Sequence, residues 1–405
     1  LQVVAFLRPI FFMEIGFSNF FDIRGIGIIV ILLGALLIRG ALGQGLAFNS
    51  VDILIAAFSS WCVFCALIYP DTMDVRGLAK MVTPFLCYTV VKNVVRTHEQ
   101  YMRMLLLMIL GYMLPVVVSA GMIMQGKGTE KYGDNYWTGL LRWQGIFDGA
   151  HNLGHNMTFL LMLVTLFVTF RYISNKSVKR VLSTPMTIAF VALVILALYC
   201  LWLAQVRTAL LGLLVFVGVF LFYRNRRLLV TGAAIMTITT IGLFPILKPY
   251  LFPDLVMVEK TGGDIENLGS GRPTFWMTNL EKFAELPFDR QLAGVGVGHK
   301  RMTGFIDSHN DILDMMIQTG IIGFGLYAAI QIVLLRRIVQ LSGIEKYMFL
   351  SLFLAVLVMN FASNSYVARF GLAQLFYMVI AFVDIRPKNK GEEESQGRNQ
   401  KRPAG

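Results

Sequence analysis

Apolar residues along this chain come in long runs instead of alternating, and most runs are about one membrane thickness in length. A helix needs about 20 mostly apolar residues to cross the hydrocarbon core of a bilayer. Runs of that kind fall at 2–20, 25–41, 52–69, 76–95, 102–124 and 153–171. The second half adds 186–204, 208–223, 228–246, 313–335, 346–362 and 366–384. The pattern predicts an all-α polytopic membrane protein with about twelve transmembrane helices. The first run is the weakest, because Arg8, Pro9 and Glu14 interrupt it; its alternative is to lie along the interface.

Two polar stretches between the runs exceed turn length, Gln125–Asn152 and Leu247–Ile312. The expected organisation is therefore nine helices in 1–246 with a loop near 125–152, a large outward loop with short helices at 247–312, and three more helices in 313–384. The polar tail, 385–405, is expected to be disordered. Short loops rich in Lys and Arg stay cytoplasmic. Such clusters stand at Lys92/Arg96/Arg103, Arg171/Lys176/Lys179/Arg180, Arg224/Arg226/Arg227, Arg336/Arg337/Lys346 and Arg386/Lys388/Lys390. Twelve crossings put all of them on one side, with both termini cytoplasmic and both long loops outward; Arg76 and Lys80 stand against the pattern.

Composition agrees with this picture. Of 405 residues, 56% are hydrophobic and 15% charged, against about 25% charged in soluble chains. The net charge of +12 does not point to nucleic acid, since the basic residues sit in short clusters between apolar runs. Cys62, Cys65, Cys87 and Cys200 all lie inside apolar runs, which excludes a disulfide framework in soluble loops. The Cys62-x-x-Cys65 spacing has no second pair and reads as helix packing.

Candidate chemistry concentrates at the outward ends. Arg207 lies in LWLAQVRTALLGLL, where two runs meet with almost no loop, so the hairpin tip carries a lone guanidinium beside Gln205 and Thr208. It either snorkels to the interface or binds an anion. In LGSGRPTFWMTNLEKFAEL, Pro273 suits a first helical position and places Arg272 at the cap of a short helix. Trp276, Leu280 and Phe283 share one face of that helix, suited to the membrane surface. A helix start reached through Gly269-Ser270-Gly271 and flanked by arginine suits phosphate; the alternative is a solvated surface helix. In DSHNDILDMMIQTG, Ser308 and Asp311 resemble a capping box. His309 then faces the aqueous side, where an imidazole of ordinary pKa near 6.5 can take a proton near neutral pH; the alternative is a structural histidine. The first loop closes on LRWQGIFDGAHNLGHNM, which offers Arg142, Asp148, His151 and His155. The HNLGH run lacks the glutamate of a zinc-protease motif, and substrate contact or loop packing fits it better than metal.

Taken together, QVRTALLGLL, GSGRPTFW, GVGVGH and DSHNDILDMMIQTGIIG, with GIFDGAHNLG upstream, resemble the bacterial O-antigen ligase and O-antigen polymerase family. The resemblance implies a glycosyltransferase of the bacterial inner membrane with its active site on the periplasmic face. Such enzymes move a glycan from undecaprenyl diphosphate to an acceptor hydroxyl, with inversion and without added metal, nucleotide or other cofactor. The acceptor is the lipid A core for a ligase, the leading expectation, or another lipid-linked repeat unit for a polymerase. The implied partners are that donor, that acceptor and membrane lipids. The family-matched roles are His309 as general base and Arg207 with Arg272 as the diphosphate-binding pair. Arg142, His151, Asn310, Lys300, Arg301 and Arg369 are further possible substrate contacts. A transporter is the alternative from another class, although transporters place polar residues at mid-membrane and in repeated halves.

Overall fold

The computed structural model describes residues 1–10, 31, 34, 36–43, 46–69, 75–129, 141–174, 184–261, 272–297, 304–363 and 370–385. In chain order the helices begin with α1 (Gln2–Ile10), α2 (Ser50–Ile68), α3 (Val75–Val94), α4 (His98–Met124) and α5 (Ala150–Ser174). They continue with α6 (Thr184–Ala204), α7 (Arg207–Arg224), α8 (Arg226–Gly242), α9 (Phe244–Leu251) and α10 (Pro253–Thr261). The last are α11 (Arg272–Ala284), α12 (Phe288–Ala293), α13 (Asp311–Gln340), α14 (Gly343–Ala362) and α15 (Phe370–Ile380). Among the described residues the architecture is all-helical, apart from one isolated bridge between Thr129 and Trp143.

Among the described residues, seven helices are long and apolar enough to cross a membrane: α2, α4, α5, α6, α7, α13 and α14. Helices α3, α8 and α15 fall on further predicted runs but are more polar or shorter. Most of the predicted runs 2–20 and 25–41, part of the loop near 125–152 and the tail from 386 lie outside the described residues. Within 247–312 the described residues include the short helices α9 to α12.

The spanning helices turn apolar side chains both inward and outward, as lipid-facing helices do. On α6, Ile188, Val191, Ile195 and Leu198 form an exposed stripe, while Phe190, Leu193, Ala197 and Leu201 are buried. Helix α8 buries no residue at all. Where helices touch, small residues let backbones approach. A Cβ on Gly212 of α7 would stand 2.6 Å from Met359 Cγ of α14. Thr158 of α5 donates a hydrogen bond to Ala209 O of α7 at 3.0 Å.

Helix α13 is two helices joined at a break. Gly320 has φ +68°, a conformation that disfavours L side chains, and a Cβ there would meet Leu292 O at 2.1 Å. The broken turn receives the segment after α12: Val295 N donates to Ile317 O at 2.9 Å and Gly296 N to Gln318 O at 3.3 Å. Trp61 Nε1 of α2 donates to Thr319 O at 2.9 Å, so the carbonyls freed by the break find partners.

At the end of α13 far from Asp311, a polar network ties four elements together. Asp52 pairs with Lys92 in full burial, and Asp384 receives Arg337, Tyr88 and Asn49. Asn49 also caps α2, with Asp52 completing the capping box. The basic clusters at Lys92 and Arg337, predicted to share one side, thus meet. Removing one partner of a buried ion pair strands the other, at about 3–5 kcal/mol. Lys92→Met is expected to lower the melting temperature of the detergent-solubilised protein sharply, and adding Asp52→Asn to restore part of the loss. A double variant no better than the single one would show the pair to be incidental.

Candidate functional site

The α6–α7 hairpin turns through Gln205 and Val206 alone, so Arg207 opens α7 at its tip. So tight a reversal forces Gln205 into the left-handed region, φ +53°, which is rare for a residue with a side chain. Gln205 Nε2 donates to Leu141 O at 3.0 Å, and Trp143 N to Leu203 O at 3.3 Å, which straps the end of the first long loop beneath the tip. The Arg207 guanidinium makes a two-pronged contact with Asp254 of α10, Nη1 to Oδ2 at 2.7 Å and Nη2 to Oδ1 at 3.3 Å.

Arg272 opens α11 and donates through Nη1 to Ala362 O, the last residue of α14, at 2.6 Å. Its Nε is buried without a hydrogen-bond partner. Burial holds its pKa below the usual arginine value; the positive charge of Arg207 adds to the effect, Asp254 opposes it, and Arg142 contributes a further lowering. Three guanidiniums and one carboxylate therefore act on one another at this end of the bundle. Arginine is not deprotonated in proteins, so among these four described groups positive charge exceeds negative.

The Ser308–Asn310 segment is held in place by α11. Trp276 Nε1 donates to Ser308 O at 2.6 Å, and Lys282 Nζ to Gly304 O at 2.7 Å. Asn279, fully buried, pairs both ways with the Ile306 backbone at 2.8 and 3.0 Å. The α11 face with Trp276 and Phe283 therefore turns to the protein and not to the membrane surface. Phe283 packs with Val295, Phe305, Leu313 and Ile317, and only Leu280 of the expected trio is left exposed. An apolar stripe has the same spacing whether it meets lipid or a loop core, which is why the sequence suggested the other partner.

The cap of α13 also differs from expectation. Asn310, not Ser308, is the N-cap, with Oδ1 accepting from Ile312 N at 3.0 Å and Leu313 N at 3.1 Å. Ser308 Oγ instead donates to the buried Asp314 carboxylate and accepts from Asn310 N at 3.1 Å. Between these two fixed residues His309 is forced to φ +48°. Among the described residues, Gln205 and His309 are the non-glycine positions with positive φ, and both are at this site. Strain of this kind persists only where the surroundings impose it.

The ring of His309 lies near-parallel to His151, centroids 6.4 Å apart, and His151 in turn to His155 at 6.1 Å. His155 is buried; its Nδ1 meets His151 O at 2.7 Å and its Nε2 meets Thr208 Oγ1 at 3.3 Å. A carbonyl can only accept, so His155 carries its proton on Nδ1 and is committed to tying α5 to α7. Among the described residues, no group of three or more His, Cys, Asp or Glu is placed to hold a metal ion.

Arg142, His151, Arg207, Arg272, His309 and Asn310 thus lie at one end of the helices. Asn310 is engaged as a cap. Lys300, Arg301, Arg369 and the Gly269–Gly271 run lie outside the described residues. Sequence reasoning missed Asp254, whose one signal is a carboxylate directly after Pro253 in the loop, and Asn279, which nothing in the pattern distinguished.

Residues 191–328 match a family model described as O-antigen ligase. The matched stretch runs from α6 into α13 and includes Arg207, Asp254, Arg272 and His309. A search of curated proteins finds no match.

The charge balance generates a prediction. Because the charged form of Arg272 is disfavoured by the fold below its lowered pKa, Arg272→Met removes that cost along with one hydrogen bond. The melting temperature of the substrate-free variant is expected to equal or exceed that of the parent. A large fall would make Arg272 a structural strut between α11 and α14.

Proposed function

We propose, from the match of residues 191–328 to the O-antigen ligase family model, that this chain transfers a glycan from undecaprenyl diphosphate to a hydroxyl of the lipid A core. The observation that carries this reading is the convergence of Arg207, Arg272 and His309, from three separate elements, on one end of an apolar bundle. The polyprenyl tail lies along the lipid-facing helices and the diphosphate between the two guanidiniums, at the periplasmic face of the inner membrane.

In the reaction the acceptor oxygen attacks the anomeric carbon of the donor glycan from the side opposite the diphosphate, which inverts the anomeric centre. The bond from that carbon to the phosphate oxygen breaks, and its electron pair leaves with undecaprenyl diphosphate. The hydroxyl proton passes to His309. Arg207 and Arg272 meet the charge that grows on the departing diphosphate through planar, two-pronged contacts. The rigid setting of His309, between a capping Asn310 and a buried Ser308, fixes the base without rearrangement during the reaction.

Reconstitution in proteoliposomes tests this, with undecaprenyl-diphosphate-linked glycan as donor and purified lipid A core as acceptor. His309→Ala is expected to lower the rate about 100- to 10,000-fold while leaving the protein folded. Arg207→Ala and Arg272→Ala are each expected to lower it about 100-fold or more, the scale of a lost preorganised donor. Full activity in His309→Ala would remove it as the base. Chain growth in the absence of the core would make the enzyme a polymerase instead.

A further inference from the structure

The fork of Arg207 is engaged by Asp254. A carboxylate held by both terminal nitrogens of a guanidinium occupies the geometry that two phosphate oxygens would take. We infer that Asp254 is a built-in stand-in for the donor's diphosphate, a latch that keeps Arg207 occupied until the lipid-linked substrate displaces it. This inference rests on the reading of Arg207 as a diphosphate ligand.

The element that carries Asp254 is short and partly exposed. Asp254 stands in the first turn of α10, which packs chiefly against α9, and a Lys248–Glu259 ion pair joins the two short helices into a unit. Among the described contacts, that unit meets the rest of the protein through the packing of α9 on α8, through Trp202 and Tyr250, whose rings stack at 5.3 Å, and through the Arg207–Asp254 pair. Phe252 and Leu255 beside Asp254 are exposed, so the segment is not buried in an apolar core that would resist displacement. Asp254 itself is the more enclosed partner, at 17% side-chain exposure against 36% for Arg207. An incoming anion therefore reaches the arginine from its open side.

The charges favour such an exchange. Among the described residues, Asp254 is the carboxylate that acts on Arg272, against the guanidiniums of Arg207 and Arg142. A single negative charge leaves this cluster net positive, whereas a diphosphate supplies more charge than the carboxylate it replaces. The latch lowers the cost of holding the guanidiniums together in the empty enzyme and yields to the substrate by mass action. It also denies the site to singly charged anions, which gain nothing over Asp254.

Equilibrium binding of undecaprenyl diphosphate to the purified full-length protein in nanodiscs tests the latch. The variants are Asp254→Asn, which keeps the shape, Asp254→Ala and Arg207→Ala. Breaking a partly exposed ion pair frees about 1 kcal/mol, so both Asp254 variants are expected to bind about 5-fold more tightly. In the transfer assay KM for the donor should fall by a similar factor with little change in kcat. Arg207→Ala should bind more weakly. Weaker or unchanged binding in the Asp254 variants, with Arg207→Ala impaired, would overturn the latch, because Asp254 would then orient Arg207 or play no part. Unimpaired binding in Arg207→Ala would instead bring down the diphosphate reading itself. Matching melting temperatures and elution profiles across the variants separate these outcomes from misfolding.

Discussion

Like charges do not gather at a membrane edge unless the fold makes them, and this fold gathers guanidiniums there. Arg207 is driven to the tip of a hairpin because two apolar runs meet with only Gln205 and Val206 between them. Arg272, the first residue of α11, stands within electrostatic reach of it and is fixed to the end of α14. The repulsion is offset in part by Asp254 and in part by the partial negative charge of backbone carbonyls such as Ala362 O. Other features of the site follow from that constraint. The left-handed Gln205 closes the hairpin, and α11 grips 304–308, which fixes the segment that places His309 against His151.

The remainder of the bundle holds this end steady. Glycines let α7 lie close on α14, and the break at Gly320 lets the segment after α12 hydrogen-bond directly to α13. At the other end, the Asp52–Lys92 and Asp384–Arg337 pairs lock α2, α3, α13 and the turn after α15. Ionic pairing thus serves two purposes. Buried and satisfied, it fixes the scaffold; partly open and in excess of positive charge, it leaves room for an anion.

Much of this was legible in the sequence because membranes impose a length and a polarity on the elements that cross them. Seven of the apolar runs coincide with helices long and apolar enough to cross a membrane, and an arginine between two runs could only sit at a hairpin tip. His309 stood out because it lies in the polar stretch just before an apolar run. Contacts between distant segments were not legible. Nothing in PDLV marks Asp254 as the partner of Arg207, and nothing in FWMTNLEKF says whether its apolar face meets lipid or the loop that it in fact clasps. Ser308 and Asn310 are both good caps, and only the pull of Asp314 on Ser308 decides between them.

The central claim is that one end of the bundle forms a single site for a lipid-linked diphosphate. A structure of the protein with undecaprenyl-diphosphate-linked glycan bound, determined in a lipid nanodisc with His309→Ala to block turnover, tests it most directly. The account predicts diphosphate density between Arg207 and Arg272, the first sugar facing position 309 and Asp254 withdrawn from Arg207. Diphosphate density away from both arginines, or at the Asp52–Lys92 end of the helices, would contradict it.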